Sequence, residues 1–120
     1  MSGSNIFADS NILIYILNGE KNVEPYLESF FVVSYISEIE LLGHKKLNIR
    51  IESELKNMFN SCFIVEMNSH IKQRTISLKR KYNIKTPDAI IAASAIEMSL
   101  PFLTADKDFK RIKELDLILL

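Results

Sequence analysis

Thr86-Pro-Asp-Ala-Ile-Ile-Ala-Ala-Ser-Ala-Ile96 places one carboxylate, Asp88, at the head of an otherwise apolar segment. Thr86 reads as a helix N-cap and Pro87 as the first helical residue, so Asp88 falls in the first turn, where the backbone dipole favours an anion. Behind it, Ala89, Ala92, Ala93 and Ile96 form one stripe, and Ile91, Ala95 and Met98 a second. A helix apolar nearly all round is a buried helix. Taken alone, Asp88 is explained by its place at a helix N-terminus; only other carboxylates converging on it would give it a different meaning.

Outward from this helix the chain alternates. Ile6-Phe7-Ala8 is a short apolar run, followed by helical spacing of Ile12, Tyr15 and Ile16 up to Asn18-Gly19. Pro25 to Phe30 reads as a short helix, Phe31-Val32-Val33 as a strand, and Ser37 to Gly43 as a helix start. A further helix carries Ile51, Leu55, Met58 and Phe59, and Phe63-Ile64-Val65 is the third strand. Ile71, Thr75, Leu78 and Tyr82 share one helical face before Asn83; Phe102-Leu103-Thr104, a short helix over 106–113 and Leu117-Ile118-Leu119 complete the chain. Strands separated by helices, with no hairpin dipeptide between them, imply parallel strands and helical crossovers: a three-layer α/β/α domain over residues 5–120, after a small polar, flexible lead at 1–4.

The chain has 120 residues, 48% of them hydrophobic, and zero net charge, which suits one domain with a full core and no global field for nucleic acid. The lone cysteine, Cys62, permits no internal disulfide and fits buried packing in a reducing compartment. No signal peptide or membrane span is apparent, and a soluble cytoplasmic protein is expected.

Sites in open parallel sheets form beyond the carboxyl ends of the strands. Asp9 follows the first strand, Glu40 lies in the first turn of the helix after the second, and Asp106 follows the fourth. Asp88 heads a helix that runs into the fourth strand, so topology alone starts that helix at the opposite edge. Carboxylates sharing a pocket repel one another unless a cation sits between them. Oxygen-only donors, without His or Cys at zinc spacing, favour Mg²⁺ or Mn²⁺, which can polarise a phosphoryl oxygen and activate water for in-line attack. Each acid also has a structural explanation. Ser37-x-x-Glu40 has the form of a capping box, Asp9 suits a turn, and Asp106 and Asp108 suit a helix start.

In order and spacing, Phe7-Ala8-Asp9-Ser10-Asn11, Glu40-Leu41-Leu42-Gly43, Pro87-Asp88-Ala89-Ile90-Ile91-Ala92-Ala93 and Leu103-Thr104-Ala105-Asp106-Lys107-Asp108-Phe109 resemble the four acidic motifs of PIN-domain ribonucleases, most closely the VapC toxins of bacterial toxin–antitoxin pairs. The resemblance spans the chain after Ser4. It implies a central five-stranded parallel sheet and a Mg²⁺- or Mn²⁺-dependent endoribonuclease leaving 5′-phosphate and 3′-hydroxyl ends. Asp9, Glu40, Asp88 and Asp106 would be the metal-binding acids, supported by Ser10, Asn11, Thr104 and Asp108. A homodimer, a cognate antitoxin and a helix that begins Asp88 at the acidic cleft are implied as well.

Residues 67–87 contain no acid but carry Lys72, Arg74, Lys79, Arg80, Lys81 and Lys85. Lys79, Arg80 and Lys81 read equally as last-turn cations complementing a helix dipole and as contacts to an RNA backbone; Lys85, three residues before Asp88, is the stronger candidate for a phosphate. Lys45, Lys46 and Arg50 form a weaker basic group, and His44 and His70 read as surface or structural residues. Other functional classes share the alternation. A phosphoacceptor receiver needs an aspartate after the third strand, where this chain has Glu66-Met67-Asn68. A housekeeping RNA-processing PIN domain, or one serving only as an interaction module, also fits the pattern.

Overall fold

Successive strand residues point to opposite faces of a sheet, and here both faces find cover. The computed structural model describes residues 4–120. Strands β1 (Asn5–Ala8), β2 (Phe30–Ser34), β3 (Phe63–Val65), β4 (Phe102–Thr104) and β5 (Leu117–Leu119) form one parallel sheet in the order β3-β2-β1-β4-β5. The helices are α1 (Ser10–Leu17), α2 (Tyr35–Leu42), α3 (Ile49–Asn60), α4 (Ser69–Lys81) and α5 (Thr86–Glu97). Phe7, Val32 and Phe102 pack with Ile71 and Leu78 of α4 and with α5; Ile6, Ala8, Val33 and Leu103 pack with Ile12 and Leu13 of α1 and with Leu55 and Phe59 of α3. The expected three-layer α/β/α fold is therefore present. Of the expected lead, only Ser4 lies within the described residues; its carbonyl accepts the Phe30 N–H at 2.9 Å.

The strand order bears directly on function. Its direction reverses between β1 and β4, which makes the carboxyl ends of those two strands the place for a site. It also separates this fold from the receiver arrangement, in which the order is 2-1-3-4-5.

Several local expectations change. The helix after β2 begins at Tyr35, not Ser37, because Ser34 is the cap: its Oγ accepts the Ile36 N–H at 3.0 Å. Glu40 therefore sits in the second turn, and the capping box at Ser37 does not exist. The short helix placed at 25–30 is a 3₁₀ helix at Lys21–Tyr26, and Phe30 already belongs to β2. The helix expected over 106–113 is a 3₁₀ turn, Lys107–Arg111. At the head of α5 the cap position is Lys85, one residue earlier than expected, with no side-chain capping bond. Seven consecutive residues of α5, Ala89 to Ala95, are buried, as the apolar stripes require, whereas Met98 at the C-cap is exposed.

Two helices connect β3 to β4, as the sequence implies, and they form an antiparallel hairpin. Near its open end, Arg74 Nε of α4 meets Glu97 Oε2 of α5 at 2.8 Å. The closed end is fixed to the chain that follows β4. Tyr82 Oη donates to Glu114 Oε1 at 2.7 Å, Lys81 Nζ pairs with Glu114 Oε2 at 3.0 Å, and Arg111 Nη1 donates to the Asn83 carbonyl at 2.9 Å. α5 leads directly into β4 and runs back against it, so its first turn lies at the carboxyl edge; this corrects the placement of Asp88 at the opposite edge.

The Tyr82 hydroxyl and the Lys81 ammonium hold the Glu114 carboxyl down at about 2, from an ordinary 4.5. A depressed carboxyl stabilises the fold fully above its unfolded value and loses that contribution as the pH falls through the folded one. Glu114→Gln should lower Tm by roughly 1–4 °C at pH 7, a modest change because the pair is solvent-screened. The difference from wild type should shrink between pH 4.5 and pH 2 in thermal melts; a pH-independent difference would assign the effect to packing.

Candidate active site

Asp9 directly follows β1 and caps α1. Its side chain is 7% exposed, and both oxygens are bonded: Oδ1 accepts the Ser10 N–H at 2.8 Å and Oδ2 accepts the Thr104 hydroxyl at 2.7 Å. Thr104, fully buried at the end of β4, also accepts the Asp106 N–H at 3.0 Å. One hydroxyl thus ties the ends of the two strands at the switch point. Asp106 Oδ1 in turn accepts the Asp108 N–H at 2.9 Å, which shapes the turn after β4.

Glu40 is exposed on α2, and its Oε1 accepts from Ser10 Oγ at 3.0 Å. Ser10 Oγ lies 2.7 Å from Ser37 Oγ, a fully buried hydroxyl that the sequence reading treated only as a capping residue. Its signal was a serine on an inward-facing position of α2, three residues before Glu40. Asp88 is half-buried in the first turn of α5.

Electrostatics shows that these acids face one another. Burial raises the Asp9 carboxyl above its ordinary value; the Thr104 and Ser10 hydrogen bonds act the other way, and the charges of Asp88 and Asp106 add to the rise. Burial likewise raises Asp88, followed by the charges of Asp106 and Glu40, with Lys85 opposing and Asp108 adding. The four predicted acids are therefore brought together at the carboxyl edge. As the side chains lie, no three carboxylate, histidine or cysteine groups among the described residues close around a point to form a metal cage.

The supporting residues divide. Ser10 and Thr104 are bonded within the cluster, and the charge of Asp108 reaches Asp88 although its side chain is exposed and lies 3.9 Å from Arg111. Asn11 is exposed on α1. Of the basic residues, Lys85 is beside Asp88, Arg80 is exposed, Lys81 is paired with Glu114, and Lys79 Nζ donates to the Ile84 carbonyl at 3.2 Å. His44 and His70 are exposed, and Cys62 is half-buried with its thiol raised by burial. A separate apolar groove of about 540 Å³, lined by Leu13, Leu17, Phe30, Phe31, Met58 and Cys62 among others, involves none of the four cleft acids.

An acidic cleft at the β1/β4 switch point of this sheet defines a class. The PIN domain family matches residues 6–115, and the chain belongs to that family, whose members are nucleases. Among solved structures, a toxin–antitoxin complex from Klebsiella pneumoniae is 30% identical, with 96% of each chain covered and a TM-score of 0.78. VapBC2 from Rickettsia felis, bound to a promoter DNA fragment, is 22% identical over 96% of this chain and 98% of that one, at a TM-score of 0.76. FitAcB from Neisseria gonorrhoeae is 19% identical over 94% and 96%, at 0.77. Among curated proteins none matches the chain. No helix among the described residues is long and apolar enough to cross a membrane.

Because burial and like charge raise Asp88, its ionised form costs the fold stability above the folded value, and this cost disappears below the unfolded value of 3.8. In the presence of a chelator, Asp88→Asn should therefore raise Tm at pH 7 by roughly 1–4 °C, the scale of a fraction of a kcal/mol in a chain of this size. The gain should fade as the pH falls through the raised folded value toward 3.8 and be absent below it. A destabilised variant at neutral pH would show that hydrogen bonding to the carboxylate outweighs the repulsion.

Proposed function

We propose that this protein is a metal-dependent endoribonuclease, the toxin of a VapBC-type toxin–antitoxin pair. The observation that carries the reading is the meeting of Asp9, Glu40, Asp88 and Asp106 at the carboxyl edge of a PIN-domain sheet, where the charges of Asp106 and Glu40 reach Asp88 and those of Asp88 and Asp106 reach Asp9. The donor set fits a hard divalent cation: all ligating atoms are oxygens, and two of the acids carry charge that their surroundings oppose. Asp9, Asp88 and Asp106 would hold Mg²⁺ or Mn²⁺ directly, with Glu40 in direct contact or through water. When bound, such an ion supplies charge to polarise a phosphoryl oxygen and to acidify water.

The chain's own residues do the positioning. Thr104 and the Ser10 N–H hold Asp9 still, and Ser10 Oγ aims Glu40. The first turn of α5 offsets part of the burial and like charge that oppose an ionised Asp88. Lys85, exposed next to Asp88, would take an RNA phosphate, with Arg80 and, more weakly, Lys79 and Lys81 extending the basic surface. Asn11, on the exposed side of α1, and Asp108 would act from the rim of the cleft. The likeness to the Klebsiella pneumoniae toxin–antitoxin complex supports a cognate antitoxin as partner. A homodimer in the cytoplasm belongs to the same proposal.

The test is RNA cleavage with and without Mg²⁺ or Mn²⁺, with products mapped to the nucleotide. Wild type should cut only with the ion present, leaving 5′-phosphate and 3′-hydroxyl ends. Asp9→Asn and Asp88→Asn should lose at least about 100-fold in rate while remaining folded, since each removes a charge directed at the ion without changing side-chain volume. Unchanged cleavage by both variants would exclude the assignment. Lys85→Ala should weaken binding to single-stranded RNA and reduce the log–log salt slope by about 0.7, the loss of one phosphate contact; an unaltered slope would remove Lys85 from the RNA surface.

A further inference from the structure

Among the described residues, three hydroxyls sit fully or nearly buried on helices, and they use their protons differently. Thr75 Oγ1 donates to the Ile71 carbonyl and Ser94 Oγ to the Ile90 carbonyl, both at 2.7 Å and both four residues back in their own helix. This is how a helix satisfies a buried hydroxyl internally. Ser37, with no exposed surface, lies instead 2.7 Å from Ser10 Oγ, 27 residues away on α1.

Proton counting gives that contact a direction. A hydroxyl has one proton to donate, and an ionised carboxylate has none. Ser10 Oγ lies 3.0 Å from Glu40 Oε1 and is the donor there, so its proton is committed. The 2.7 Å contact with Ser37 then needs the Ser37 proton, and the chain runs Ser37 Oγ–H to Ser10 Oγ–H to Glu40. Each donor in such a chain polarises the next. Glu40 is exposed, has three side-chain torsions, and is in no ion pair among those found between described residues. The Ser10 hydroxyl anchors it. Ser10 also has its N–H on Asp9 Oδ1, so its rotamer joins one acid of the cleft to another.

We propose that Ser37 is a positioning residue for the acidic cleft: by donating to Ser10 it fixes Ser10 as the donor to Glu40 and keeps the Glu40 carboxylate at the cleft. The inference rests on the nuclease reading above. Ser37 touches neither substrate nor ion; it acts through Ser10.

The experiment is Mn²⁺ binding by calorimetry on the full chain without RNA, paired with the Mn²⁺ concentration giving half-maximal cleavage. Ser37→Ala should remain folded and bind Mn²⁺ about 10-fold more weakly, the scale of losing an outer partner of a metal ligand. Ser37→Thr, which keeps the hydroxyl, should return most of that affinity. If the alanine variant does not fold, Ser37→Cys takes its place, similar in shape and a poor donor. Because the chain is serial, Ser10→Ala combined with Ser37→Ala should bind no more weakly than Ser10→Ala alone. Wild-type affinity in Ser37→Ala, or losses that add in the double variant, would overturn the role of Ser37 while wild-type cleavage left the nuclease reading standing. A wild type that neither binds Mn²⁺ nor cuts RNA would overturn that reading, and the role of Ser37 with it.

Discussion

The hydroxyl of Thr104 sits where the strand order reverses, and the geometry of the cleft depends on it. Buried on β4, it donates to Asp9 at the end of β1 and accepts the backbone N–H of Asp106 in its own turn. Parallel strands β1 and β4 are already in register through Phe7 opposite Phe102 and Ala8 opposite Leu103. The hydroxyl extends that register one step past the last ladder bond, into the loops. Asp9 consequently has both oxygens fixed, and it is the rigid member of the cluster around which the others are placed. An unmet buried carboxylate oxygen at this point would cost more than the bond itself contributes, because no water replaces the missing donor.

Asp88 is held by a different means. α5 has no strong amphipathic pattern to orient it, only small and aliphatic residues that are buried from Ala89 to Ala95. Alanines let the helix lie close to both the sheet and α4, and close packing leaves little freedom to rotate or slide. Placement of its first turn then depends on the α4–α5 corner, which Tyr82, Lys81 and Arg111 attach to the chain after β4. The same segment leads from Asp106, so one set of polar contacts sets the relation between two acids that are 18 positions apart in the sequence.

How much of this was legible in the sequence follows from which features are local. Strands rich in aromatic and β-branched residues and the buried character of α5 were readable because burial on both faces leaves continuous apolar runs. The stop of α1 was readable because Gly19, at a φ of 68°, supplies the left-handed residue after the helix. α5 ends with the same pair of backbone bonds, Ser99 N–H to Ile96 and Leu100 N–H to Ala95, but with Ser99 at a φ of 55°, a residue type that announces nothing. The start of α2 was misread for a related reason. Ser34 and Ser37 are both good caps, and the choice between them is made by the pairing of β2, which carries the strand to Ser34 opposite Val65. That error assigned Glu40 a capping role, and with Ser34 as the cap its side chain is available to the cleft. The opposite-edge expectation for Asp88 fails on topology itself: a helix that feeds a parallel strand runs antiparallel to it and begins at the carboxyl edge.

The choice of partners for the four acids is itself informative. Carboxylates that existed only to stabilise the fold would be expected opposite arginine or lysine, as Glu97 and Glu114 are. Those in the cleft are held instead by neutral donors: Asp9 by Thr104 and a backbone N–H, Asp106 by the Asp108 N–H, and Glu40 by the Ser10 hydroxyl. Neutral donors fix direction without cancelling charge. Lys85 is the cation beside Asp88 that opposes this repulsion, and it lies exposed, where solvent screens it. The cleft thereby keeps its negative potential while its parts are held in place, and the mutual repulsion that this leaves is a standing cost to the fold. A fold accepts such a cost where the charge has something to bind, and in this sheet the charge stands at the one position, between the ends of β1 and β4, where the topology leaves room for a ligand.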